Sequence, residues 1–399
     1  MKPLNARPLM EPHVANTFNL DTVHDRHNTG STKWSRFPAD VLPMWVADMD
    51  FAVAPGIVQA LQERLSHPML GYSVAQDSLR STLIKALREL FDWEVAPEEL
   101  VFLPGVEGGV NMALNGLLEP GTGVVVQTPN YRPLLNAAGH WKLPRIDLRF
   151  HVDANGLYPT DLAALDEALG KAGAMILSNP HNPLGKVFER AELQAIADAC
   201  VAHDTLLISD EIHAQILFDG RRHIPIASLN DEIAQRTITL MSATKAFNIA
   251  GMKNAFAVIK NPALRHRFNV ARLGMVDSVS TLGLVATEAA FNHGGEWLAE
   301  VVAYLQANRD YLASAVATRL PGVTMTCPQG TYLAWLDCSG LGLNDPHAFF
   351  LKHAKVGLSP GTDFDDELGG QFLRLNFGCP RALLEEGIAR MERALKTQL

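Results

Sequence analysis

Short apolar runs alternate with helix-length amphipathic stretches through the middle of the chain. Val124-Val-Val-Gln127, Ala174-Met-Ile-Leu177, Thr205-Leu-Leu-Ile208 and Thr237-Ile-Thr-Leu-Met241 are apolar or β-branched with almost no polar alternation, as expected of strands buried on both faces. Between two of them, Arg190 to His203 sets Leu193, Ile196, Ala197 and Cys200 at steps of three and four, which gives a helix one apolar face. Each such helix would return the chain for the next parallel strand. The pattern therefore predicts an α/β fold, with a mostly parallel sheet covered on both sides. Towards the C-terminus the rhythm changes. A long helical period over Glu296 to Leu320, short strands at Val323 to Met325 and Tyr332 to Leu336, and a closing helix from Arg381 to Leu395 predict a smaller α+β unit. Residues 1–50 have few long periodic segments and are rich in Pro, Asn and Thr, so they are expected to wrap onto that smaller unit.

Composition narrows the function classes. With 399 residues and 47% hydrophobic content, the chain can bury a large core, and its length favours two domains. Its 43 acidic and 34 basic residues give a net charge of -9, spread without long blocks. That balance argues against nucleic acid or an anionic membrane as partner and for small-molecule chemistry. No apolar run reaches about 18 residues. The start, Met1-Lys-Pro-Leu-Asn-Ala-Arg-Pro8, lacks the apolar centre of a signal peptide, so a cytoplasmic location is expected. Cys200, Cys327, Cys338 and Cys379 have no Cys-x-x-Cys spacing, and neither a disulfide framework nor a metal site is expected.

In open parallel sheets, ligands bind beyond the carboxyl ends of the strands, so the residues after each apolar run carry the chemistry. The first run is followed by Thr128-Pro-Asn-Tyr131 and the second by Ser178-Asn-Pro-His-Asn182-Pro-Leu-Gly185. The third leads into Asp210-Glu-Ile-His213 and the fourth into Ser242-Ala-Thr-Lys245. A ring, an amide, a carboxylate and an amine thus converge on one edge of the sheet. Each alone has an ordinary structural use: Tyr131 as a rim aromatic, Asn182 as a turn residue, Asp210 as a helix cap, Lys245 as a solvated surface amine. Together they match what a pyridine aldehyde requires. Such a cofactor needs a ring on its face, a donor to its phenolic oxygen, a carboxylate holding its ring nitrogen protonated, and a lysine to form an imine with its aldehyde. Pyridoxal 5'-phosphate is that cofactor. Its phosphate has a candidate site where Leu103-Pro-Gly105-Val-Glu-Gly-Gly-Val110 opens a helical period. The N–H groups of Val106 and Glu107 and the helix dipole would face the anion there. Ser242 and Lys253 would add a hydroxyl and a positive charge, Lys253 having a solvated surface amine as its alternative. The Glu107 side chain is awkward beside a phosphate and is expected to turn away.

These motifs, in this order and spacing, resemble the fold-type I pyridoxal phosphate enzymes, the aspartate aminotransferase superfamily. Leu42-Pro-Met-Trp-Val-Ala-Asp-Met-Asp-Phe51, Gly71-Tyr-Ser73, Gly357-Leu-Ser-Pro-Gly361 and Arg374-Leu-Asn-Phe-Gly-Cys-Pro380 extend the resemblance to the MalY/PatB group of cystathionine β-lyases, or carbon-sulfur lyases, over nearly the whole chain. The resemblance implies the type I transferase fold, with a mostly parallel seven-stranded sheet in a large cofactor-binding domain, residues 51–290. A smaller α+β domain, 291–399, and an N-terminal segment, 1–50, packing on it would complete the chain. It also implies roles. Lys245 would bind the cofactor covalently and then act as base, Asp210 would pair with the ring nitrogen, Asn182 with the phenolic oxygen, and Tyr131 would stack on the ring. Arg374, with the Ala47 N–H and Asn182, would hold the substrate carboxylate, a bidentate task suited to guanidinium. Tyr72 would reach the phosphate of the neighbouring subunit, which makes a homodimer with shared active sites. The chain departs from the wider family in carrying His213 where aminotransferases often have tyrosine, and Lys253 where many relatives have arginine. The implied reaction is β-elimination of a thiol from cystathionine or another S-substituted L-cysteine, leaving pyruvate and ammonia. An aminotransferase and a cofactor-binding regulatory protein with residual lyase activity are the alternatives, and the leaving group is left open.

Overall fold

Seven strands form the large sheet of the computed structural model: β1 (Leu100–Leu103), β2 (Val124–Thr128), β3 (Arg145–Arg149), β4 (Ala174–Ser178), β5 (Leu206–Asp210), β6 (Thr237–Met241) and β7 (Ala255–Val258). The structure describes residues 17–154, 156–272, 276 and 278–398; the opening Met1 to Pro8, read above for a targeting signal, lies outside them. Spatial order is β1-β7-β6-β5-β4-β2-β3. The pairs from β3 through β2, β4 and β5 to β6 are parallel, and only β7 runs against its neighbours. Every residue of β2, β4 and β6 is buried, which is why those strands read as unbroken apolar runs. β3, at the edge, is half exposed. It presents Arg145 and Asp147 as an ion pair, a charged rim that blunts edge pairing.

Helix α1 (Val106–Leu117) follows β1 and packs Val110, Ala113 and Leu114 into the same core as Leu240 of β6. Gly109 permits that approach, since a Cβ there would stand 2.5 Å from the Leu240 Cδ2. Helix α2 (Arg190–Ala202) buries Leu193, Ile196, Ala197 and Cys200 completely, the face its periodicity marks.

A second, antiparallel sheet has the order β10-β11-β9-β8, from β8 (Thr324–Met325), β9 (Leu333–Asp337), β10 (Ser359–Pro360) and β11 (Phe372–Asn376). Its core mixes Leu333, Leu373 and Leu375 with residues of two long helices. Trp297, Leu305 and Leu312 come from α3 (Gly295–Arg319), Leu384, Ile388 and Met391 from α4 (Arg381–Gln398). Leu42–Pro43 pairs in parallel with Val356–Gly357. The chain beyond it passes between the two sheets, held by two asparagines. Asn376 at the end of β11 donates to the carbonyls of Val46 (2.6 Å) and Asp48 (2.9 Å). Asn248, after β6, donates to those of Met49 (3.1 Å) and Phe51 (2.8 Å). Among the described residues no helix is long and apolar enough to cross a membrane.

Candidate active site

The carboxyl ends of β2, β4, β5 and β6, the start of α1, the segment around Ala47 and one residue of β11 enclose a cavity of about 360 Å³. It is lined by Ala47, Val106, Glu107, Tyr131, Asn182, Asp210, His213, Ser242, Lys245, Lys253 and Arg374. Every candidate residue named from the sequence is therefore on one wall or another of a single space, except Tyr72. Its side chain is 99% exposed and lines a separate, shallow surface depression.

Lys245 follows β6 and points its Nζ at the Ala47 carbonyl, 2.8 Å away. Burial, reinforced by the nearby Arg374 cation, pulls the amine down to about 8, against the opposing charges of Asp48, Glu107 and Asp210. Asp210 ends β5, buried, with one carboxyl oxygen accepting the Ile212 N–H at 3.1 Å. Burial pushes this acid up to about 7, so the site withholds from it the solvation an anion needs. His213 is buried with Nδ1 unpartnered and lies edge-on to Tyr332, 6.0 Å between centroids. Burial lowers its pKa to about 3, and it is neutral at physiological pH. Tyr131 donates its hydroxyl to the Glu107 carboxylate at 2.7 Å; burial and that carboxylate keep the phenol protonated, far above its ordinary range. The Glu107 side chain is thus turned towards Tyr131, although it still lines the cavity.

Arg374 sits mid-strand in β11 and is 4% exposed. It donates to Asn182 Oδ1 (3.0 Å), the Trp45 carbonyl (2.8 Å) and the Ser359 hydroxyl (3.4 Å), with its carbon 4.5 Å from the Phe364 ring centroid. Nε has no partner, and among the described residues no carboxylate pairs with this buried cation. Because Asn182 turns its oxygen to Arg374, its amide NH₂ is left for a ligand. Ala47 spends its carbonyl on Lys245 and on the Tyr332 hydroxyl (3.1 Å), and its N–H has no partner among the described residues.

The phosphate end is equally open. Gly105 caps α1 without a side-chain bond, leaving the first-turn N–H groups free, and a Cβ at Gly105 or Gly108 would meet nothing within 4 Å. Ser242 bonds the Asn254 carbonyl (2.6 Å) and the Thr244 hydroxyl (2.8 Å). Lys253, exposed and in left-handed backbone, stands beside them without an ion pair among the described residues. Asn254 is buried with both amide atoms unpartnered. Sequence reasoning passed over Asn254, Trp45, Ser359, Tyr332 and Phe364. Trp45 and Ser359 lie inside motifs that were recognised, but their part, a carbonyl and a hydroxyl turned to a guanidinium, leaves no composition signal.

The residues fit an anionic pyridine aldehyde carrying an amino acid. The site has an unpaired carboxyl for a ring N–H, an uncapped helix start for a phosphate, a buried amine for an aldehyde and an unpaired guanidinium for a carboxylate. Comparison with known proteins agrees. Residues 39–391 match the family described as aminotransferase class I and II. The cystathionine beta-lyase PatB of Bacillus subtilis (strain 168) is 36% identical over 392 residues, covering 94% of this chain and 100% of its own. The crystal structure of OvoB superposes with a TM-score of 0.92 at 43% identity, over 96% of this chain and all of that one. Cystalysin from Treponema denticola, whose structure contains a pyridoxal 5'-phosphate cofactor, gives 0.91 at 29% identity, over 95% of this chain and 99% of that one.

Proposed function

The chain belongs to the aminotransferase class I and II family, and from that premise we infer that it is a pyridoxal-phosphate-dependent carbon-sulfur β-lyase. Its substrate is an amino acid, taken as cystathionine or a related S-substituted L-cysteine. The observation that carries the reading is the buried, unpaired Arg374 set across one cavity from Lys245 and Asp210. A buried cation without a counter-ion is costly to keep unless a ligand supplies the anion.

We assign roles accordingly. Lys245 would hold the cofactor covalently, and its Nζ would take the substrate Cα proton, a task suited to an amine drawn down to about 8. Asp210 holds the ring-nitrogen proton, Asn182 donates to the phenolic oxygen and helps Arg374, Tyr131 covers the ring face, and His213 packs as a neutral wall beside it. Val106 and Glu107 through their N–H groups, with Ser242 and Lys253, hold the phosphate. Arg374 and the Ala47 N–H fix the α-carboxylate. When bound, pyridoxal phosphate supplies the electron sink that makes the Cα–H bond acidic. The pair freed from Cα–H would form the Cα–Cβ double bond as the Cβ–S pair departs with sulfur as thiolate, and water would hydrolyse the remaining three-carbon enamine to pyruvate and ammonia. Residues 51–290 form the cofactor domain in this reading and 291–399, with 1–50 packed on it, the smaller one. Tyr72 serves the phosphate of a second subunit.

Pyruvate release from cystathionine by the purified holoenzyme, with no keto acid added, tests the assignment. Lys245→Ala is expected to lower that rate by roughly 10²–10⁴-fold and to abolish the covalent lysine–cofactor absorbance band. Turnover that depends on an added keto acid would replace the lyase by an aminotransferase.

A further inference from the structure

Once each partner of an amino acid and pyridoxal phosphate is matched to its residue, one charged group in the cavity is left over. Its lining includes two carboxylates, Asp210 and Glu107, and three cations, Lys245, Lys253 and Arg374. Asp210 is committed to the ring, Lys245 to the aldehyde, Lys253 to the phosphate and Arg374 to the substrate carboxylate. Glu107 has no such partner. Its Oε1 accepts the Tyr131 hydroxyl, and no lysine, arginine or histidine forms an ion pair with it among the described residues. The Tyr131 bond engages one carboxylate oxygen, and the Glu107 side chain still lines the cavity. Glu107 is also the exposed carboxylate of the pair, whereas Asp210 is buried at the strand end. As an exposed carboxylate lining the cavity, it is open to contact from the part of a substrate beyond sulfur. Its field reaches inward as well, opposing ionisation of Asp210 and favouring the charged form of Lys245.

We propose that Glu107 is a specificity-determining residue, selecting S-substituted cysteines whose leaving thiol carries a cationic or strongly N–H-donating group, and rejecting anionic ones. This rests on the lyase reading, but the arrangement makes a claim of its own about charge. The position of the carboxylate is held by a phenol that cannot supply a counter-charge, so a cationic ligand group completes the pair. A charge-assisted hydrogen bond to that carboxylate is expected to favour the cationic leaving group on the order of tenfold.

Three substrates of similar length test it on the holoenzyme: S-(2-aminoethyl)-L-cysteine, S-propyl-L-cysteine and S-carboxymethyl-L-cysteine. Both kcat/KM for pyruvate release and Kd, read from the change in cofactor absorbance, are measured for each. Wild type is expected to rank them cationic over neutral over anionic, with the outer two separated on the order of tenfold or more. Glu107→Gln keeps an acceptor for Tyr131 and removes the charge, so the ratio should collapse towards unity; Glu107→Lys should invert it. Equal Kd values in wild type, or a ratio that survives in Glu107→Gln, overturns the proposal. If none of the three releases pyruvate, the lyase reading falls, and the Kd ranking still decides the role of Glu107.

Discussion

Arg374 is in debt to a ligand. Its guanidinium is 4% exposed, stacked at 4.5 Å over Phe364 and hydrogen-bonded to neutral oxygens only, and burial draws its pKa down to about 10. Removing a buried charge that lacks a counter-ion relieves desolvation, and hydrophobic replacement of buried ionic groups is often neutral or stabilising. Arg374→Met is therefore expected to leave the cofactor-free protein as stable as wild type or more so by about 1 kcal/mol, read from urea unfolding. KM for the amino acid should rise by at least about tenfold, from loss of charge-assisted bonds to its carboxylate. A large drop in apoprotein stability would instead make Arg374 a structural residue. Arginine was legible in the sequence because it opens a recognised motif, Arg374-Leu-Asn-Phe-Gly-Cys-Pro380. Its supports were not. The Trp45 carbonyl could be any residue's carbonyl, and the Ser359 hydroxyl is meaningful only once β10 is laid beside β11.

At the scale of the element, the start of α1 separates cofactor binding from folding. Gly105 has φ 178°, an extended conformation open to any residue, and a Cβ there would have nothing within 4 Å. Neither backbone strain nor packing demands glycine. Gly105 lines the cavity at the start of α1, so an added methyl would take up space there. Gly105→Ala is thus expected to change apoprotein stability by less than about 1 kcal/mol, an N-cap effect. The Kd for pyridoxal phosphate, by equilibrium dialysis, should rise on the order of tenfold through one obstructed hydrogen bond to an anion. An unchanged Kd would place the phosphate elsewhere. The same element shows where reading a sequence succeeds. β2, β4, β5 and β6 are buried on both faces and announce themselves, and α2 ends within one residue of its expected end. β3 was passed over because Arg145-Ile-Asp-Leu-Arg149 alternates at an exposed edge. β1 and β7 were missed because four-residue apolar segments next to helices have no distinctive period.

Over the whole molecule, the segment from Trp45 to Phe51 ties both sheets to the cavity through Asn376 and Asn248, so one chain carries the amine, carboxyl and guanidinium in a fixed relation. What one chain does not carry is a use for the surface around Tyr72. Met69, Leu70, Tyr72 and Val74 are 68%, 58%, 99% and 73% exposed, a run of large apolar side chains of the kind that the proposed subunit contact would cover. In the homodimer proposed above, two-fold symmetry makes each subunit both donor and recipient of Tyr72. That geometry has a signature that an ordinary monomer lacks. Lys245→Ala chains keep Tyr72 to give and have no amine; Tyr72→Ala chains keep the amine and lack the donated hydroxyl. Each variant alone should be impaired. In a mixed dimer, the site that holds Lys245 receives Tyr72 from its partner and is intact. Reassociation of equal amounts, after mild dissociation, should therefore restore about a quarter of wild-type pyruvate release, since about half the dimers are mixed and each has one good site. Activity no greater than the mean of the two parents would mean that Tyr72 serves its own chain or none.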